Sequence, residues 1–373
     1  MKSKYLLPLG SALHSLFLVL ALFAGVHPAL AQPTLGIAPA GNQSVLYWPT
    51  TATNYVVQGT TNLATPNWVY ASDAVPVTAV TVSNTAPARF FRLAAGPAGM
   101  VLIPAGVFTM GDTLDGLSDA IPTNVYVSAF FMDVNLVTSN QWQSVYAYAT
   151  NHGYGFVHSG AGKAANHPVQ TVDWYDVVKW SNARSAEAGL TPVYYTDAGL
   201  TQVYTNGEVT TLYPNWAVSG YRLPTEAEWE KAARGGLSGQ RFPWGNIIGE
   251  SQANYYGNTA SYSYDLGPNG YNSIGNYPTT SPGTSPVGSF PANGYGLYDM
   301  AGNVLEWCWD WYGTPYGQPT TNNPTGPVGP LSFRVLRGGS WISFAVKARC
   351  ALRSFDVPTD AHGSIGFRCV RGL

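Results

Sequence analysis

The chain has 373 residues, of which 10% are charged and 13% aromatic, and a formal net charge of -2. About a quarter of an ordinary globular chain is charged, so this surface is largely neutral and polar. Such a mild balance excludes recognition driven by a basic field, so neither nucleic acid nor an anionic membrane surface is an expected partner.

Residues 1–31 read as a secretory leader. Lys2 and Lys4 make a basic start, residues 16–26 an apolar run, and Ala29-Leu30-Ala31 a small-x-small cleavage site. The run is shorter than the roughly 18 residues a spanning helix needs. No cysteine follows it to carry a lipid, and no later segment is apolar enough to cross a membrane. Cleavage removes two lysines and no acid, taking the net charge from -2 to -4. The mature chain is expected to be exported, to the periplasm, cell surface or exterior, without a membrane span.

Residues 32–97 alternate short β-branched or aromatic runs with Asn, Thr, Pro and Gly. The runs at 44–48, 55–59, 68–71, 78–83 and 90–93 predict strands of a small all-β, sandwich-like module. It resembles fibronectin type III-like modules of secreted bacterial proteins and suggests a spacer or adhesion role. The small-residue stretch AAGPAG at 94–99 marks a joint, and residues 98–373 read as one domain dense in Trp and Tyr.

Three helix starts are legible in that domain. Thr138 and Gln141 form a capping pattern ahead of Trp142, Val145 and Tyr146. Asp173 and Asp176 resemble a second cap, with Trp174, Val177 and Val178 behind it and Gly189 as the stop. Thr225 and Glu228, preceded by Pro224, form the third. Glu230 and Arg234 are expected to pair on that helix's exposed side, and Glu226, Glu228 and Glu230 read as helix-stabilising charges, not acid-base groups. The loops at 250–285 and 312–332 are longer than ordinary connections, so binding or metal ions are expected to hold them.

There are three cysteines, Cys308, Cys350 and Cys369. In an oxidising compartment one disulfide and one free thiol are the simplest account. Cys350 and Cys369 lie on what look like neighbouring C-terminal strands and are the expected pair. Cys308, inside WCWDWY, reads as a small buried hydrophobe.

Seven blocks then follow in order: MVLIPAGVFTMG (100–111), HPVQTVDWYDVVKW (167–180), YRLPTEAEWEKAARGG (221–236), FPWGN (242–246), PVGSFPANGYGLYDMAGNVLEWCWDWYG (286–313), RVLRGGSW (334–341) and GFRC (366–369). Together they resemble the formylglycine-generating enzyme, or sulfatase-modifying factor, family. The resemblance implies an α+β, C-type lectin-like fold with much irregular loop, preceded here by the β module. It also implies calcium, held by the Asp299 and Glu306 side chains with main-chain oxygens of Gly302 and Val304. The residues alone leave another reading open, in which Asp299 caps a turn and Glu306 pairs with a buried arginine. A second calcium site of the family would use Asn254 and Tyr255, but its partner stretch at 279–281 has no acid.

The family's oxidases hold copper(I) between two thiolates placed between the GGS and R-C-A-x-R motifs, here residues 338–340 and 349–353. The stretch 341–348 contains no cysteine. Ser343 stands where the first thiol would be, and a hydroxyl is a hard, poor ligand for copper(I). The pattern argues against copper. Ser340, Ser343, Trp307, Cys350, Arg353 and Arg368 are the candidates for any chemistry in the same cleft. Trp307, Trp309 and Trp311 read as core, and the histidines, His158 among them, show no metal-ligand spacing. The expected function is a secreted formylglycine-generating-enzyme-like protein without cysteine oxidase activity, binding a polar ligand, glycan or protein or serving a structural role. The alternative is a copper- or other metal-dependent oxidoreductase acting on protein cysteine.

Overall fold

The structure is a computed structural model and describes residues 18–19, 33–49, 55–65, 68–70, 79–83, 89–116, 118, 120–276, 281–314, 316–317 and 320–373. The chain divides into two compact units, residues 1–96 and 97–373. Apart from residues 18–19, the expected leader lies outside the described residues, as do residues 279–280 of the stretch compared with a second calcium site. Among the described residues no helix is long and apolar enough to cross a membrane.

Among the described residues the first unit contains seven strands: β1 Leu18–Val19, β2 Gly36–Ala40, β3 Gln43–Tyr47, β4 Tyr55–Thr60, β5 Val69–Tyr70, β6 Ala79–Ser83 and β7 Phe90–Ala95. They form a three-stranded sheet, β2-β3-β6, and a four-stranded sheet, β1-β7-β4-β5. Alternation explains the pairing of faces, since in β3 Ser44 and Leu46 are buried while Gln43 and Tyr47 are exposed. Leu46, Trp48, Val57, Val80, Val82 and Phe91 from both sheets make one apolar cluster. Strand β2 had no expectation in the sequence, because GIAPA carries one β-branched residue and a proline; pairing with β3 holds it at the edge.

The second unit starts with β8 Met100–Ile103, β9 Gly106–Met110, β10 Thr123–Val127 and β11 Phe130–Asp133. Helix α1 (Ser139–Asn151) follows Thr138, whose hydroxyl accepts from the Gln141 amide. It buries Trp142, Val145 and Ala149, one face at helical spacing. Helix α2 (Trp174–Glu187) is capped by Asp173, and Gly189 stops it in a left-handed conformation at φ 68°. The Trp142 and Trp180 rings stack at 5.5 Å between the two helices, and Phe367 meets both edge-on.

After the short strands β12 Tyr194–Tyr195, β13 Tyr213–Pro214 and β14 Tyr221–Arg222 comes α3 (Glu226–Ala233), with a complete Thr225/Glu228 capping box. All eight residues of α3 are buried. The Glu230–Arg234 pair forms at 2.7 Å, but it is buried, not exposed as expected. Helix α3 packs against β9 and β10 on the one hand and the later central strands on the other, so it has no solvent face. The remaining strands are β15 Tyr256–Gly257, β16 Gly270–Tyr271, β17 Leu305–Trp311, β18 Arg334–Arg337, β19 Ser354–Asp356, β20 Ile365–Gly366 and β21 Val370–Gly372. Two four-stranded sheets result, β14-β21-β11-β8 and β19-β18-β17-β20, giving an α+β unit with long irregular connections.

Polar side chains organise the long loop at 250–285 from within. Asn272 donates to the Glu250 and Ala253 carbonyls, and Asp265 accepts from the Tyr255 hydroxyl and the Asn258 and Gly267 amides. Side chains thus meet backbone demand that the sequence had left to metal ions or ligands.

Candidate functional site

Strand β18 delivers Gly338-Gly339-Ser340 to the end of the central sheet. Gly339 has φ 70°, and a Cβ there would lie 3.0 Å from Lys347 backbone atoms, so the turn requires glycine. Ser340 then sits buried, its amide donating to Ser343 Oγ at 3.0 Å and its hydroxyl 3.0 Å from the same oxygen. The Ser343 amide returns a bond to the Ser340 carbonyl at 2.9 Å. Two hydroxyls satisfying one another in a tight turn leave no base, acid or soft ligand at this point.

Aromatic rings surround that turn. The Tyr256 amide donates to the Ser343 carbonyl, and its ring meets Tyr271 at 4.7 Å and Phe344 at 5.5 Å, both edge-on. Tyr271 also lies 5.8 Å from Trp341, and Phe344 6.1 Å from Tyr262. Tyr271, Ile342 and Phe344 are 47%, 47% and 41% exposed, so this is an apolar face turned to solvent. The residues come from 256–271 and 341–344, too far apart in sequence for spacing to reveal the cluster.

The other candidates do not converge on Ser340. Trp307 is buried in the core with its indole N–H donated to the Val172 carbonyl. Trp311 is buried as well, and Trp309 packs half-buried against the same core. Arg353 grips Glu226 through two bonds of 2.6 and 2.8 Å, and Arg368 grips Glu306 at 2.7 and 3.0 Å. Arg337 joins Glu230 to the carbonyls of Cys350, Ala351 and Leu352, which fixes the R-C-A-x-R segment as part of the scaffold.

The expected Cys350–Cys369 disulfide does not form, for all three cysteines are free and buried. Cys350 belongs to the cluster around Trp229 and Met300, and Cys369 to the one around α1 and α2, with its sulfur 3.6 Å from Ser181 Oγ. Different core clusters hold the two sulfurs, whereas a disulfide needs its Cβ atoms within about 4.5 Å. Burial pushes the Cys350 thiol up to about 12, the Cys369 thiol up to about 11, and the Cys308 thiol well above its ordinary value. None is poised as a thiolate.

Of the residues compared with a calcium site, Glu306 pairs with a buried arginine. Asp299, at φ 55°, accepts the Gly288 amide at 2.8 Å, and Asn303 Nδ2 lies 3.4 Å from its second oxygen. Both Glu306 oxygens are engaged by Arg368. Gly302 lies in a left-handed turn at φ 79°, where a Cβ would meet the Asn254 carbonyl oxygen at 2.3 Å, and Val304 is buried. Asn254 donates to the Gly283 carbonyl, and Tyr255 donates to Asp265. A guanidinium holding both Glu306 oxygens is a poor neighbour for a dication, so Glu306 does not fit as the carboxylate of a calcium cage.

Sequence spacing also missed a cluster at the start of α2. His158, Asp173 and Asp176 bring one ligand atom each within 4.8 Å of one another. His158 lies on the loop after α1, so no regular interval links it to the two aspartates. Elsewhere, a cavity of about 350 Å³ lined by Gly106, Phe108, Asn124, Lys231, Leu237 and Tyr295 has none of the candidate residues in its wall.

Residues 89–373 match the family described as "Sulfatase-modifying factor enzyme 1-like domain". The chain belongs to this family. It is 35% identical over 293 residues to the formylglycine-generating enzyme of Bos taurus, covering 73% of this chain and 74% of that protein. It is 33% identical to the chaperone protein LppX of Paenibacillus barcinonensis, over 73% of this chain and 89% of that one. Among solved structures, Treponema denticola variable protein 1 aligns with a TM-score of 0.57 and 28% identity over 74% of this chain and 95% of its own. The family's copper does not fit this member: Ser343 stands where the first of two thiolates would be, the second has no counterpart in residues 341–348, and the three thiols lie in the core.

Proposed function

We propose that this sulfatase-modifying-factor family member is an exported protein that does not oxidise cysteine to formylglycine and instead binds a neutral polar ligand such as a glycan. The observation that carries this reading is the hydrogen-bonded Ser340–Ser343 turn, set directly beside the exposed Tyr271, Ile342 and Phe344. Copper(I) chemistry needs soft donors that the turn lacks. A sugar ring, apolar on its faces and polar at its edge, suits aromatic side chains with hydroxyls at their tips. The leader-like first 31 residues and the low charge favour a place outside the cytoplasm.

Purified protein supplied with copper(I), oxygen and a C-x-P-x-R peptide is expected to produce no formylglycine. Ser343→Cys is expected to leave that result unchanged, since a single thiol still lacks its partner. Formylglycine in the wild-type reaction, read by peptide mass, would establish the oxidase instead. Binding of neutral oligosaccharides, measured by calorimetry on the same preparation, is expected to weaken at least tenfold in Tyr271→Ala. Equal binding by that variant would remove the aromatic face from the proposal.

A further inference from the structure

We propose that His158, Asp173 and Asp176 form a binding site for a divalent transition metal of the zinc type at the N-terminus of α2. Asp173 caps the helix and Asp176 sits in its first turn, both fully buried, while the loop carrying His158 crosses above them with that side chain 29% exposed. His158 Nδ1 lies 3.4 Å from Asp173 Oδ2 and 3.2 Å from Asp176 Oδ2. The longer distance is beyond a good hydrogen bond. The shorter contact is a hydrogen bond in this structure, and the longer matches the edge of a tetrahedron whose bonds are about 2.0–2.1 Å, which is about 3.3–3.4 Å.

The independent sign of a missing ligand is Asp173 Oδ2. Its carboxylate is 0% exposed, and one oxygen accepts the Asp176 amide at 2.6 Å, yet Oδ2 has no hydrogen-bond donor. A buried carboxylate oxygen without a donor is costly, and a cation between it and His158 would remove that cost. Asp176 is held in place as metal-binding carboxylates usually are, with Oδ2 accepting the His158 amide at 2.7 Å and Oδ1 accepting the Val157 amide at 3.0 Å. Lys179 Nζ approaches Oδ1 at 3.0 Å, on the oxygen away from His158. It neutralises one of the two carboxylates and leaves one negative charge for the metal. One imidazole and two carboxylates suit zinc, cobalt or manganese; calcium prefers an all-oxygen shell, and copper(I) prefers thiolates. His158, the exposed member, provides the route in.

The test is a cobalt(II) titration of the purified chain followed by visible absorption, with zinc as competitor. One equivalent of cobalt displaced by zinc is expected, with affinity falling about 100-fold or more in Asp173→Asn and in His158→Gln. Asparagine caps a helix as well as aspartate, so Asp173→Asn should fold, and its circular dichroism melt checks this. The exposed Asp356, Asp360 and His362 also lie close together, and His362→Gln serves as the control that should bind cobalt like wild type. Undiminished binding in Asp173→Asn, loss confined to His362→Gln, or no stoichiometric cobalt in the wild type would each overturn the proposal.

Discussion

Arg337 and Ser340 are three residues apart in one motif and belong to regions of opposite character. Arg337 ends β18 inside a buried ionic network, tied to Glu230 at 2.5 Å and to three carbonyls of the Cys350 segment. Ser340 begins a turn that satisfies itself and opens onto solvent-facing rings. In the first region Glu226, Glu228 and Glu230 on α3 each grip an arginine from elsewhere in the unit or the same helix turn, which ties several sequence blocks together. The second region carries no such constraint, so its chemistry can change without disturbing the fold.

That contrast is breakable. Glu230→Ala would strand the Arg234 and Arg337 guanidinium groups in the core and is expected to cost about 3–5 kcal/mol in urea unfolding. Near-wild-type stability would mean that the network is not what holds α3 in place. Lys231, on the same buried helix, bonds only to the Gly106 and Val127 carbonyls in the described contacts, and burial pulls its ammonium down to about 8 from 10.5. The unfolded chain therefore binds the extra proton between those values, and stability is expected to rise as pH climbs from about 8 to about 10.5, by roughly 2–3 kcal/mol. Lys231→Met should flatten that rise in urea titrations run across the window.

Smaller effects belong to the turn. Ser343→Ala removes the acceptor for the Ser340 amide and is expected to cost about 1–2 kcal/mol by the same measurement. At the rings the effect on stability should nearly vanish: Tyr271→Ala is expected to change unfolding by no more than about 0.5 kcal/mol while weakening oligosaccharide binding. A loss of several kcal/mol at Tyr271 would place that face inside the scaffold and erase the distinction.

Much of the scaffold was legible. The caps Thr138, Asp173 and Thr225 are local, because each side chain answers amides two or three residues away, and all three start helices as read. The α+β class and the family followed from ordered blocks. The environment of α3 was not legible. An i,i+4 ion pair at 230 and 234 looks the same in sequence whether water or Arg337 lies beyond it, so the pair was right and its exposure wrong. The disulfide failed for a similar reason: spacing along the chain says nothing about which core cluster receives each sulfur.

By itself the sequence determined the helix starts, the family and the lack of any cysteine in residues 341–348. Those are properties of adjacent residues or of residues that are simply missing. Only the tertiary structure decided that Glu306 belongs to Arg368, that Tyr271 and Phe344 share a face, and that His158 stands over Asp173 and Asp176. Each of these joins segments separated by fifteen or more residues, where burial and the search for hydrogen-bond partners choose the neighbour and no local periodicity records the choice.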